Sequence, residues 1–397
     1  MEVRKREQGP ESTRPRVAII GTRGYPSFYG GFETLLRHLV PYLSSAGWDV
    51  DVYCRPEVRA AETPVAQGSG GDKGRITQHY TSGLDSKSMS TLTYGFTSTA
   101  HAVKSRPNVA LVMNVANGYW LRLLRARGIP TAVNVDGIEW DRQKWGNLAK
   151  KVFLRGATMT AASGTTLIYD AQAIRTRWQS DFGRDGVFIP YGATQVSGSD
   201  PVLGLQRGKY VLYVARFVPE NSIREFIQAA DLLSCEIPVV IVGSTGYGGE
   251  IEDSVRRLVE SRANTIWTGH LRDDAKIFAL WENAGVYFHG HSVGGTNPAL
   301  VQAMACGAPT VARDTIYNRE VLGPNGSFVD PEPTAIASEL SRVISDDDLR
   351  EKLATDATKR QRAHYTWDLV CDRYDQVLRD LLAHSPNGSS SMTSELR

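Results

Sequence analysis

A chain of 397 residues is long enough for two ordinary domains, each with its own core. With 41% hydrophobic and 22% charged residues it has the composition of a soluble globular protein, and a net charge of +2 makes no case for nucleic-acid binding. Cys54, Cys235, Cys306 and Cys371 are scattered and form no C-x-x-C pair, which argues against structural zinc and for a reduced, cytosolic setting. No apolar stretch approaches the roughly 20 residues that span a bilayer.

Residues 1–15 are charged and lack the apolar segment of a signal peptide, so they read as a disordered tail. VAIIG at 17–21 reads as a buried strand, and TRGYPSFYGG follows as a glycine-bearing loop. Phe32, Leu35, Leu36, Leu39, Val40 and Leu43 then recur at helical spacing, and Gly47 closes that helix. Further strands are predicted at VDVYC (50–54), VALVMN (109–114), TAVNVDG (131–137) and GVFIPYG (186–192). Residues 60–75 look like an inserted flexible loop. Periodicity fades over 193–208, which is read as a linker between domains at 16–192 and 209–366.

A second series follows the linker: YVLYVAR (210–216), PVVIVG (238–243), TIWTG (265–269), VYFHG (286–290), PTVAR (309–313) and GSFVD (326–330). Helical patterns such as IREFIQAADLL (223–233) and DDAKIFALWENA (273–284) fill the gaps. This alternation predicts an α/β fold of parallel sheets covered by helices on both faces. The last helix, 367–383, carries Leu369, Val370, Tyr374, Val377, Leu378 and Leu381 on one side, and 384–397 reads as a second disordered tail.

The segment GGTNPALVQAMACGAPTVA at 294–312 is the most informative. It reads as a glycine loop, a short helix and a buried strand. Asn297 suits the N-cap, Pro298 the first helical position, and Gly307 the left-handed position past the end. Gly294 and Gly295 let a ligand approach bare backbone, and unpaired N–H groups at a helix start attract phosphate. Packing alone also explains many such turns, but a similar strand, loop and helix lies near residue 21. Two units of this kind suggest two nucleotide-fold domains facing each other across a cleft.

GTRGYPSFYGGFET (21–34), VNVDGIEWDRQKWG (133–146), IPYGA (189–193), ARFVPEN (215–221), HSVGGTNPALVQAMACGAP (291–309) and IYNREVLG (316–323) together resemble a retaining GT-B glycosyltransferase of family 4, of the branch with bacterial rhamnosyltransferases of polysaccharide assembly. The resemblance implies two Rossmann-like domains, with the C-terminal helix crossing back to the first. It implies an enzyme moving a hexose or deoxyhexose, such as rhamnose, from a nucleoside-diphosphate sugar to a saccharide, lipid-linked or other hydroxyl acceptor. No metal or other cofactor is expected, since no acidic D-x-D motif lies in a donor-site loop.

By the same resemblance Arg216 contacts the diphosphate. Gly243, Gly294, Gly295, Thr296, Asn297, Gln302 and Glu320 fall on the donor side, with helix capping the alternative for Glu320. Asp136 stands where many relatives have a His near the transferred sugar; a turn cap is its structural alternative. Arg23, Gly30, Gly31, Glu139 and Trp140 fall on the acceptor side, core packing being the usual role of a lone Trp. Two departures stand out. Gly294 and Gln302 occupy positions where relatives have two glutamates, and Asn221 stands where many have a Lys. They motivate a non-catalytic nucleotide-binding alternative. A sugar-nucleotide epimerase lacks a clear acid and base pair here, and GTRGYP has the wrong spacing for a G-x-G-x-x-G oxidoreductase. His289 and His291 alternate at a strand end and face one way, without further ligands to suggest a metal. The basic stretch from Arg142 to Arg155, with Lys144, Lys150 and Lys151 beside Val152, Phe153 and Leu154, reads as a solvated helix face or a peripheral contact with the inner face of a membrane.

Overall fold

The computed structural model describes residues 14–27, 30–56, 74–84, 90–142 and 145–384. The predicted tails lie almost wholly outside these residues, as do most of the 60–75 loop and Lys144. Two sheets form, in the order β3-β2-β1-β4-β5-β6-β7 and β10-β9-β8-β11-β12-β13. In the first, β1 is Arg16–Ile20, β2 Asp49–Cys54, β3 Ile76–Tyr80, β4 Val109–Met113, β5 Thr131–Asn134, β6 Thr166–Tyr169 and β7 Val187–Phe188. In the second, β8 is Val211–Val214, β9 Val239–Val242, β10 Thr265–Trp267, β11 Val286–His289, β12 Thr310–Arg313 and β13 Ser327–Val329. The fold is α/β, of parallel-paired strands with interleaved helices.

By contacts the chain divides into two units: Met1–Met113 with Trp120–Ala132 and Asp375–Arg397, and Asn114–Tyr119 with Val133–Tyr374. This division does not fall at 193–208. The 193–208 segment loses periodicity in sequence, yet the main chain of Thr194 exchanges two hydrogen bonds with Gln302, holding it within the second unit.

In the first unit, β1 pairs in parallel with both β2 and β4, and its residues Val17 to Ile20 are fully buried. Strands covered on both faces read as continuous apolar runs, which is why VAIIG and VALVM were legible. The end of the C-terminal helix Trp367–Ala383 is fastened here: Trp48 Nε1 donates to Asp375 at 2.6 Å, and Arg379 donates to the Ala46 carbonyl at 2.8 Å. Val370, Tyr374, Val377 and Leu378 of that helix are buried as expected, Leu381 is half-buried, and Leu369 is exposed. Leu369 lies one position outside the 3.6-residue stripe drawn by the other four.

In the second unit, β8 and β11 are parallel neighbours with Tyr213 opposite Phe288. Phe226, from the helix Ile223–Leu233, stacks on both rings at centroid distances of 4.6 and 5.5 Å. This aromatic stack fixes the two strands at one height, so Arg216 and His291 each lie three residues beyond the register pair. The sheet order reverses between β8 and β11, and in open α/β sheets ligands bind beyond the strand ends at such a reversal.

The predicted strand at 186–192 shrinks to Val187–Phe188, because Pro190 cannot donate to a ladder and Gly192 lies against Trp367. Two strands escaped the sequence reading, β3 and β6. The first is a half-buried edge, ITQHY, and the second spans only four residues. Gly243, at the end of β9, has φ +141°, and a Cβ there would lie 1.8 Å from the Ala215 carbonyl oxygen. Gly243→Ala therefore combines backbone strain with overpacking against main chain, costing about 1–3 kcal/mol. A melting temperature several degrees lower by scanning fluorimetry is expected; an unchanged one would contradict this account.

Candidate functional site

The loop after β11 starts from geometry that glycine alone permits. A Cβ on Gly290 would lie 2.3 Å from the Asn221 carbonyl oxygen, and Gly294 has φ +105°. Asn297 caps the helix Pro298–Ala305 by accepting from Ala299 N at 3.0 Å, with Pro298 in the first turn, and Gly307 follows at φ +70°. The loop is tied to the end of β6: Thr296 N and Oγ1 both donate to the Asp170 carbonyl, the former at 3.2 Å. Its N–H groups and helix dipole favour negative charge.

Arg216 follows β8 and is exposed, and among the described residues no side chain bonds its guanidinium. Asn221 shapes this loop, its side chain donating to the Arg216 carbonyl at 2.9 Å and its own carbonyl accepting from Tyr213 at 3.0 Å. Asn221 is thus a main-chain brace. His289 and His291 do face one way, with rings stacked at 4.3 Å and 11°. Tyr287 bonds His289 Nδ1 at 2.9 Å, while His289 Nε2 and His291 Nδ1 are buried without partners. Burial, followed by the positive charges of Arg216 and Arg142, pushes His291 down to about 3. It is a neutral ring. Among the described residues no group of three His, Cys, Asp or Glu side chains is arranged to hold a metal.

Arg142 is the charged centre of the second unit. Burial disfavours its cation, but Glu139, Asp136, Glu220 and Asp170 more than offset this and keep it charged. Glu139, 3% exposed, pairs with Arg142 Nε at 2.6 Å and accepts from Trp145 Nε1 at 2.7 Å. A Cβ on Gly137 would lie 2.7 Å from the Arg142 guanidinium, and one on Gly294 3.7 Å, so the cation lies close to both backbones. Asp136 sits at φ +64° and accepts from Asn114 Nδ2 at 2.9 Å. The cap position of the 3₁₀ turn Glu139–Asp141 is Ile138.

Asp170, at the end of β6, is 5% exposed, and its Oδ1 has no hydrogen-bond partner. Burial, then the charge of Asp136, pushes its carboxyl up to about 8, against the pull of a backbone hydrogen bond and Arg142; Glu320 adds to the rise.

Other expected site residues are engaged elsewhere. Both Glu320 oxygens cap the helix Gln172–Phe182, accepting from Gln172 N at 2.7 Å and Ala173 N at 3.1 Å, which is the capping alternative. Gln302 spends its amide on Thr194, accepting from its N–H at 3.0 Å and donating to its carbonyl at 2.8 Å. Trp140 is buried edge-on against Trp178 and Phe182, at 6.1 and 5.9 Å, so it is a core residue. Each such aromatic pair contributes about 0.5–1.5 kcal/mol beyond area burial, which accounts for the ring without an acceptor. Gly243 is spent on contact with Ala215. Arg23, Gly30 and Gly31 belong to the first unit, where Arg23 N donates to Glu33 Oε1 at 2.9 Å and Gly30 caps the helix Gly31–Ser45. Asn114, Asp170 and Glu220 were not singled out from sequence. An acid directly after the apolar run TLIY was the available signal for Asp170.

Asp170 gives a pH test. A folded pKa raised above the unfolded value means stability present below pH 4 and lost as pH rises through about 8. Asp170→Asn removes that loss. Its melting temperature should exceed wild type by several degrees at pH 8, with the gap closing towards pH 4. A constant gap would contradict the buried, neutral carboxyl.

Residues 200–360 match the family model described as Glycosyl transferases group 1. The chain is 28% identical over 166 residues to O-antigen chain mannosyltransferase B of Escherichia coli, covering 40% of this chain and 42% of that protein. It is 30% identical over 219 residues to phosphatidyl-myo-inositol mannosyltransferase of Mycobacterium leprae, covering 51% and 55%. The chain thus spans about half the length of these curated relatives. Sucrose-phosphate synthase from Thermosynechococcus elongatus has the same fold, with a TM-score of 0.74 at 19% identity over 93% of this chain and 100% of that one. Anabaena HepE in complex with UDP-glucose gives 0.72 at 15% identity, over 93% and 100%. The chain has the GT-B fold, and its residues 200–360, which carry Arg216 and the 294–297 loop, are similar to the glycosyl transferases group 1 family.

Proposed function

We propose that this protein is a glycosyltransferase that moves a hexose or deoxyhexose from a nucleoside-diphosphate sugar to a hydroxyl of a saccharide or lipid-linked acceptor, with retention at the anomeric carbon. The observation that carries the reading is the reversal between β8 and β11. It brings Arg216 and the capped 294–297 loop to neighbouring strand ends, a charged side chain beside a phosphate-attracting helix start. Two curated relatives are mannosyltransferases, which makes mannose the first donor sugar to try, with rhamnose second. In this reading 209–366 holds the donor and 16–192 the acceptor.

In the reaction the bond from the anomeric carbon to the phosphate oxygen breaks, and the diphosphate leaves with the electron pair. The acceptor oxygen bonds to the same face of the carbon, and its proton passes to the leaving phosphate. Arg216 and the loop N–H groups stabilise the departing charge. Asp136, held by Asn114, supplies negative charge near the electron-poor carbon. No metal is invoked.

A peripheral membrane contact is part of this proposal. The helix Asn147–Ala162 exposes Leu148 (78%) and Leu154 (42%) beside Lys151 and Arg155, an apolar and basic surface suited to anionic lipid. One observation favours a second reading, a non-catalytic nucleotide binder: Gln302, on the donor side, is already engaged by Thr194.

Thermal shift against nucleoside diphosphates, followed by transfer assays with GDP-mannose and dTDP-rhamnose, tests the proposal; binding without transfer to any saccharide would favour the second reading. Arg216→Ala should weaken diphosphate binding about tenfold or more, as a lost charge-assisted hydrogen bond costs roughly 1.5–3 kcal/mol. Unchanged affinity and turnover would reject its role. Asp136→Asn should lower turnover with donor affinity nearly intact, because its charge acts in the transition state. EDTA should leave transfer unaffected; loss restored by magnesium or manganese would contradict the phosphate-loop account.

A further inference from the structure

We propose that Asp170 reads the sugar: its carboxyl hydrogen-bonds a hydroxyl of the hexose carried by the nucleotide, from within the 294–297 loop. The inference rests on the nucleotide-sugar reading above and deepens it. Asp170 is anchored by its main chain, since Thr296 N and Oγ1 both bond its carbonyl oxygen. The side chain is therefore held in place without using its own oxygens. Oδ1 is left buried and unpartnered, although Arg142 is near enough to feel its charge. A buried polar atom without a partner is destabilising by about 1–3 kcal/mol and persists where a ligand supplies the missing bond.

The carboxyl points at Gly295. A Cβ there would lie 2.0 Å from Oδ1, so any other residue would displace it from the loop. The surrounding charge selects the ligand. Asp136 and Glu320 raise the Asp170 carboxyl, and Asp136, Glu139 and Glu220 crowd the buried cation Arg142. An anion gains nothing beside them, so the diphosphate belongs on the Arg216 side of the loop. A neutral hydroxyl suits the Asp170 side, donating to an ionised carboxyl or accepting from a protonated one. His291 Nδ1, also buried and unpartnered, offers a second polar atom from the same loop.

Calorimetry on the full chain with UDP, UDP-glucose, GDP and GDP-mannose tests this. Wild type should bind the matching sugar nucleotide more tightly than its diphosphate. Asp170→Ala should keep diphosphate affinity and lose about tenfold in that ratio, the scale of one hydrogen bond, and Asp170→Asn should restore part of it. Gly295→Ala, which displaces the carboxyl while leaving Asp170 in place, should lower the ratio as well and serves if Asp170→Ala does not fold by circular dichroism. A ratio unchanged in both variants, an equal fall for diphosphate and sugar nucleotide, or no preference for the sugar nucleotide in wild type would overturn the inference and leave the transferase reading standing. Absence of binding by wild type to all four compounds and to dTDP and dTDP-rhamnose would overturn both.

Discussion

The second unit is organised around one buried cation. Arg142 loses its hydration in folding, a cost that a single ion pair does not reliably recover in a low-dielectric interior. Glu139 meets it directly, Asp136 from the same loop and Glu220 from another supply further negative charge, and the neutral Asp170 carboxyl lies close by on a third. Those segments follow β5, β6 and β8, so one guanidinium holds strand-end loops to a common centre. Burial, helped by the excess of acid over base there, keeps the Asp170 carboxyl neutral, while Arg216 stays exposed at the edge.

Glycine sets how closely these loops approach. Gly290 lies against Asn221, Gly294 near Arg142, and Gly295 against Asp170. Side chains at these positions would separate the acids from the loop. In the proposed function the glycine loop has two separate tasks: N–H groups for phosphate on one side, and room for the Asp170 carboxyl on the other.

Much of this was readable from sequence. Buried parallel strands announce themselves as apolar runs, and Asn297, Pro298 and Gly307 mark both ends of their helix because capping is local chemistry. What could not be read depends on partners far along the chain. Gln302 meets Thr194, 108 positions away, and Glu320 meets Gln172, 148 positions away. For Trp140 the sequence leaves an acceptor-side role and core packing both open, and Trp178 and Phe182, which decide for the core, lie some forty positions away. Asp170 was overlooked because β6 is four residues long and carries no periodic pattern. The left-handed backbone of Asp136 likewise has no sequence signature.

The central claim is that an anion binds where β8 and β11 diverge. The most direct test is a crystal structure of the protein with a bound nucleoside diphosphate. The account predicts the distal phosphate between the Arg216 guanidinium and the N–H groups of Gly294, Gly295 and Asn297, with Asp170 turned away from it. A diphosphate bound at any other part of the chain, with Arg216 and this loop left empty, would contradict it.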